Sequence, residues 1–241
     1  MKRCEKCFGE YDESIAAGVC PFCGYIQGEQ QDDPRYLPIG SILHDRYIIG
    51  GVVGAGGFGI TYKAWDNKYN ICKAIKEYFQ QGVVNRIPGD TDVFVAAPKR
   101  QAEFEYGKER LIEEARIVAK FQSPSIVRVD DFFEENGTSY MVMEFLDYET
   151  LEDFLIHQKR PLTEDEAVNI GVRLCEALDE IHHAGVIHRD ISPDNIFVGK
   201  DGSVKIIDFG SARLSKEDTD SRLIVLKPGY APPEQYEKID P

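Results

Sequence analysis

The chain has 241 residues, enough for one large domain or two modest ones with a real core. Forty-two acidic residues against 28 basic ones give a formal charge of −14, a surface that repels nucleic acid and anionic lipid and argues against both as general partners. No run of eighteen apolar residues occurs, and Met1-Lys2-Arg3 leads straight into cysteines instead of a signal peptide, so this portion is expected in the cytoplasm without membrane contact.

Four of the six cysteines lie within the first 23 residues, as Cys4-Glu5-Lys6-Cys7 and Cys20-Pro21-Phe22-Cys23-Gly24. Two CxxC knuckles let paired thiolates approach one ion in a tetrahedron, and Gly24 permits the tight turn after the second knuckle. Residues 1–25 therefore resemble a zinc ribbon. Paired disulfides are the weaker alternative because nothing points to an oxidising compartment, and iron in a four-thiolate site is the nearer rival. So small a module needs its metal to fold, so Zn2+ here is expected to be structural, with no open coordination position. Cys72 and Cys175 read as small buried residues. Residues 26–45, with Gln27-Gly28-Glu29-Gln30-Gln31-Asp32-Asp33-Pro34, are polar and proline-broken and read as a linker.

From Tyr47, β-type runs flank Gly54-Ala55-Gly56-Gly57-Phe58-Gly59, which predicts a hairpin whose glycines let backbone amides approach phosphate oxygens. A dinucleotide-binding fold would need a helix directly after the glycines, and a strand follows instead. Lys73-Ala74-Ile75-Lys76 comes next, with Lys73 read as a solvated strand lysine. A long insert then runs from Glu77 to Arg100. A helix is predicted over 101–121, with Leu111, Ala115, Val118 and Ala119 at helical spacing; it carries Glu113, read as solvated, and Glu114. Two strands are expected from Ser123 to Phe133 and from Thr138 to Phe145, around the turn Glu135-Asn136-Gly137.

Thr163-Glu164-Asp165-Glu166 is a capping box opening a helix to His183, with Ala167, Ile170, Leu174, Leu178 and Ile181 on its buried face. After Gly185 comes His188-Arg189-Asp190-Ile191-Ser192-Pro193-Asp194-Asn195, then a predicted hairpin around Lys200-Asp201-Gly202-Ser203, then Asp208-Phe209-Gly210. Phosphoryl transfer from a nucleotide needs a carboxylate to receive the attacking hydroxyl's proton and hard oxygen ligands for magnesium. Asp190 suits the first task; Asn195 and Asp208 suit the second.

Together these stretches resemble the protein kinases, over roughly residues 47–241. The resemblance implies an α+β, bilobal fold: a β-rich N-lobe over about 46–146 and a helical, incomplete C-lobe over about 147–241, the kinase domain spanning 46–241 after the ribbon. It implies ATP with Mg2+ or Mn2+, covered by Val53, Gly54, Ala55, Gly56, Gly57, Phe58, Gly59, Ile60 and Thr61. Lys76 takes the place of the lysine that holds the α- and β-phosphates, paired with Glu114. Glu144 and Leu146 match the hinge positions whose backbone bonds adenine, with Met143 controlling the pocket behind. Lys76-Glu77-Tyr78-Phe79 and the insert look like a bacterial branch of the serine/threonine kinases. His188 would be a framework residue. Ala231-Pro232-Pro233-Glu234 resembles the end of the activation segment, on which Thr219 and Ser221 are the chosen autophosphorylation acceptors. The partner implied is a protein substrate with a serine or threonine acceptor.

Two departures from the family pattern stand out. The lysine expected two residues after the base is Ser192, and the threonine expected before the substrate-binding loop is Lys227. One exchange accounts for both if Lys227 returns from the activation segment to supply the missing cation. The chain also ends seven residues after Glu234, where kinases continue with further helices, so the C-lobe is expected to be incomplete and apolar helix undersides exposed. The rival readings are a nucleotide-binding, pseudokinase-like scaffold or inactive fragment, and a small-molecule phosphotransferase. The complete set of catalytic residues disfavours the first for a full-length protein, while the truncation keeps it open for this chain; the Ala231-Pro232-Pro233-Glu234 ending and the long activation segment disfavour the second.

Overall fold

Short pairings frame the cysteines. In the computed structural model, which describes residues 1–12, 18–210, 212–214 and 227–236, β1 (Lys2–Arg3) pairs antiparallel with β2 (Glu10–Tyr11) around the first knuckle. A Val19–Ile26 bridge spans the second.

The main sheet follows. Its strands are β3 (Ile42–Leu43), β4 (Tyr47–Ala55), β5 (Gly59–Asp66), β6 (Ile71–Tyr78), β9 (Val129–Glu135) and β10 (Thr138–Glu144), in the antiparallel order β3-β4-β5-β6-β10-β9. Period-two alternation sets its faces. Tyr62 lies opposite Ile75, and Ile60 and Tyr140 lie opposite Glu77 on the buried face, which puts Lys76, opposite Thr61 and Met141, on the other. Lys76 therefore owes its direction to the burial of Ile75 and Glu77.

The 26–45 segment differs from the linker expectation. Leu37 and Leu43 are fully buried, Leu37 N–H donates to Tyr62 Oη at 3.1 Å, and Gln31 Nε2 donates to Leu37 O at 2.8 Å. Two apolar anchors in a polar run suffice to fix it to the sheet.

The insert forms a second hairpin, β7 (Val84–Arg86) with β8 (Val93–Val95). Arg86 and Glu77 form a fully buried ion pair whose carboxylate also accepts from Tyr62 (2.9 Å) and Tyr140 (3.0 Å), while the guanidinium donates to Thr91 O at 3.0 Å and to Arg35 O. Burial raises the Glu77 carboxyl above its ordinary value, and Arg86 with the two phenols offsets only part of that rise. Removal of either charged partner would strand the other in a dry interior.

Helix α1 (Gln101–Val118) ends three residues short of the predicted limit, where Lys120 and Phe121 donate to the carbonyls three residues back and close tight turns instead. Gly107 sits where a Cβ would lie 1.8 Å from Tyr78 Oη, so a glycine in the helix interior admits the tyrosine.

The residues group into two compact units: Met1–Ala115 with Val129–Phe145, and Arg116–Arg128 with Leu146–Pro241. The cysteine module belongs to the first. In the second, β11 (Glu149–Thr150) leads into α2 (Leu151–Gln158), capped by Thr150, whose side chain accepts from Asp153 N–H at 3.0 Å. Helix α3 (Glu164–His183) opens with the predicted box, Glu166 N–H to Thr163 Oγ1 at 3.3 Å and Thr163 N–H to Glu166 Oε2 at 2.8 Å. Its buried side chains are Ile170, Ala177 and Ile181; Leu174 and Leu178 are half-buried, while Ala167 and Cys175 face solvent, contrary to expectation. Val168 and Val172 are exposed on the same helix.

Strand β12 (Val186–Ile187) pairs with β15 (Arg213–Leu214), and β13 (Ile196–Val198) lies between β11 and β14 (Val204–Ile206). Leu151, Ile170, Ile196, Val198 and Val204 form the core beneath. Helix α4 (Pro233–Tyr236) follows Lys227 and its turn.

Candidate functional site

In the first unit, the glycines from Gly54 to Gly59 join β4 to β5, with Gly56 N–H donating to Gly59 O at 2.9 Å. Lys76 Nζ lies 3.3 Å from Glu114 Oε1; the lysine is partly exposed and the carboxylate buried on α1. Glu113 instead pairs with Arg110 at 2.5 Å. Lys73 is buried, not solvated: its ammonium meets Asp130 at 2.6 Å across β6 and β9. Glu144 ends β10, and Leu146 is two residues further on.

The catalytic-loop motif forms the second set. Asn195 Nδ2 donates to Asp190 O at 3.0 Å and to Asp190 Oδ2 at 2.9 Å. These two donations use the amide nitrogen and direct the Asn195 amide oxygen away from Asp190. Asn195 precedes β13 and Asp208 follows β14, and the Ile207 N–H donates to Asn195 O at 3.0 Å, so one hairpin brings both predicted metal ligands side by side.

Arg189 and Asp208 adopt left-handed backbone angles, φ 65° and 59°. Such angles cost a non-glycine residue about 1–3 kcal/mol and concentrate at functional sites. Asp208 Oδ1 accepts from Gly210 N–H at 3.2 Å, which steadies the turn.

His188 is buried between strands and ring. Its Nδ1 accepts from Asp190 N–H at 3.3 Å, its Nε2 donates to Ile207 O at 3.3 Å, and Phe209 packs edge-on at 4.6 Å. Burial pushes its pKa down to about 4, so it is a neutral imidazole bracing both loops, the framework role expected for it. Burial raises the Asp190 carboxyl; Asn195 and Lys227 pull it down, and Asp208 and Asp194 push it up. A raised carboxyl is a better proton acceptor.

Lys227 reaches Ser192 Oγ at 3.1 Å and forms an ion pair with Asp194, whose carboxyl it holds below its ordinary value against burial. Ser192 Oγ also donates to Asp194 Oδ1 at 2.7 Å. Sequence reasoning missed Asp194, which at a two-residue spacing from Ser192 reads as an ordinary turn. It also missed Gln235, whose Nε2 donates to Arg189 O at 3.1 Å. Thr219 and Ser221 lie outside the described residues.

The four predicted thiolates converge: Cys4, Cys7, Cys20 and Cys23 Sγ atoms all lie within 4.8 Å of one another, with Cys4–Cys23 and Cys7–Cys20 at 3.7 Å. Bonds of about 2.3 Å to a central zinc demand sulfur separations of about 3.8 Å, so the cluster fits the ion; a disulfide would need about 2.05 Å.

The family described as the protein kinase domain matches residues 47–239. The chain belongs to the protein kinase family. It is similar to a probable serine/threonine-protein kinase of Clostridium perfringens (34% identity, 75% of this chain and 24% of that protein) and to the probable serine/threonine-protein kinase PknB of Lactococcus lactis (32%, 83% and 29%). A solved chain described as "PpkA-294 apo form" matches with a TM-score of 0.74 at 34% identity, covering 84% of this chain and 72% of that one. The fold is thus the α+β protein kinase fold, with a β-rich first unit and a helix-bearing second. The chain spans about a quarter of the length of these two curated relatives. Among the described residues, no helix of this kinase-family chain is long and apolar enough to cross a membrane.

Proposed function

We propose that this chain is the nucleotide-binding and catalytic part of an ATP-dependent protein serine/threonine kinase acting in the cytoplasm. The observation that supports the reading best is the paired donation of Asn195 to the main chain and side chain of Asp190, which holds that carboxylate in place and leaves the amide oxygen facing away from it. Asp190 then receives the proton of a serine or threonine hydroxyl. Asn195 and Asp208 would hold Mg2+ or Mn2+, which when bound neutralises charge on the phosphate oxygens. Lys76, steadied by Glu114, bonds the α- and β-phosphates, residues 53–61 cover the nucleotide, and the backbone of Glu144 and Leu146 takes adenine. Lys227, seated on Ser192 and Asp194, steadies the transferring phosphoryl group in place of a lysine at position 192. Thr219 and Ser221 are the proposed sites of autophosphorylation. Cys4, Cys7, Cys20 and Cys23 would hold structural Zn2+. The domain order proposed is a zinc ribbon over 1–25, a packed connector over 26–45, and the kinase domain over 46–241.

The test is transfer of radiolabelled phosphate from ATP to a serine- and threonine-containing protein. Transfer by the chain and its loss in Asp190→Asn is expected; transfer that survives the substitution would overturn the assignment.

A further inference from the structure

The long insert after Lys76 begins at the glycine loop itself. Phe79 N–H donates to Phe58 O at 3.1 Å, Gln81 N–H to Gly57 O at 2.9 Å, and Gln81 Nε2 to Gly56 O at 3.0 Å. Three successive loop carbonyls are thus drawn to one short stretch of the insert. In a planar trans peptide the carbonyl of one residue and the N–H of the next point in opposite directions. Drawing the carbonyls of Gly56, Gly57 and Phe58 toward residues 79–81 therefore turns the N–H groups of Gly57, Phe58 and Gly59 the other way. Successive N–H groups facing one side are an anion-binding arrangement.

The stretch that does this is itself held. Gln80, buried beside Gln81, accepts from Tyr78 Oη at 3.0 Å and donates to Glu103 on α1 at 2.7 Å, and Ala96 N–H donates to Val83 O at 2.9 Å within the insert. The glycines leave the loop free to sample many conformations, and the clamp selects one.

We infer that Gln81 is a positioning residue that, with the backbone of Phe79, holds the glycine loop with its N–H groups arranged for a polyphosphate. The inference rests on the nucleotide reading given above and adds to it: the insert sets affinity for the phosphate tail and not for the nucleoside. The loss of one solvent-exposed hydrogen bond is expected to weaken ATP about two- to fivefold.

The experiment is calorimetric titration of the whole chain, wild type and Gln81→Met, with ATP and with adenosine; methionine keeps the length and lacks the N–H donor. Weaker ATP binding with unchanged adenosine binding supports the proposal. Unchanged ATP binding, or equal losses for both ligands, overturns it while leaving the nucleotide reading intact. A wild type that binds neither ligand overturns both. Amide hydrogen exchange gives a reading independent of affinity: residues 54–59 should exchange faster in Gln81→Met while 138–144 do not change. Equal exchange at 54–59 in the two proteins also overturns it.

Discussion

Lys227 Nζ stands 3.1 Å from Ser192 Oγ, a cation from the end of the activation segment meeting a hydroxyl two residues beyond Asp190. Each occupies a position where the family pattern carries the other kind of side chain, and the two are in contact. On this geometry Lys227→Thr should lower kcat by roughly 10²–10³, the usual effect of removing one donor to a developing charge. Ser192→Lys in the same chain should restore at least part of it. Steady-state kinetics of the two variants checks this, and a double variant as inactive as the single one would dissolve the exchange.

Lys227 also bears on the proposed proton acceptor. It pulls the Asp190 carboxyl down against burial and against Asp208 and Asp194. As the proposed base Asp190 must be ionised, so activity should be lost as pH falls through its pKa. Lys227→Met should therefore move the acid limb of the kcat/KM profile to higher pH. An acid limb at an unchanged position would mean that the two groups do not communicate.

Arg86→Met leaves the Glu77 carboxylate fully buried with only two phenols and should destabilise the chain by about 3–5 kcal/mol. The double variant Glu77→Met with Arg86→Met should recover much of that loss, because no orphan charge remains. Urea midpoints for the three proteins decide the matter, and a single variant within about 1 kcal/mol of wild type would contradict it.

Metal analysis should find one zinc per chain, and stripping it should be visible in fluorescence. Trp65 is the chain's single tryptophan, with Arg3 stacked 3.6 Å from the ring centre and Phe8 at 5.9 Å. Both residues flank Cys4 and Cys7, so a strong chelator, or Cys20→Ser with Cys23→Ser, should shift Trp65 emission to the red. Unchanged emission after verified metal loss would show that the ribbon holds its seat without the ion; iron in place of zinc would correct the metal.

What could be read from the chain was what proximity in sequence records. The capping box at Thr163, the hairpin carrying Asn195 and Asp208, and the glycine turn are all local patterns, and the structure contains each of them. What could not be read were partners brought together by the sheet. Lys73 looks like any strand lysine until Asp130, 57 residues away, is placed beside it. Glu77 and Arg86 are charged residues in a polar-looking insert, and nothing local marks them as buried. Leu37 and Leu43 lack any periodicity, so their segment reads as a tether. The left-handed angles at Arg189 and Asp208 leave no trace either, because neither residue is a glycine.

The first cysteine knuckle rests on the middle of β4: Gly51 N–H donates to Lys6 O at 2.8 Å, and a Cβ at Gly50 would lie 2.4 Å from that same oxygen. The fit is a backbone-to-backbone seat with no room for even a methyl group. It makes the joint between the two modules a property of the host strand, so that grafting this ribbon onto a strand with larger residues at these two places would yield a free-swinging appendage. Conversely, an alanine at Gly50 should unseat the ribbon while leaving all four sulfurs able to grip their ion.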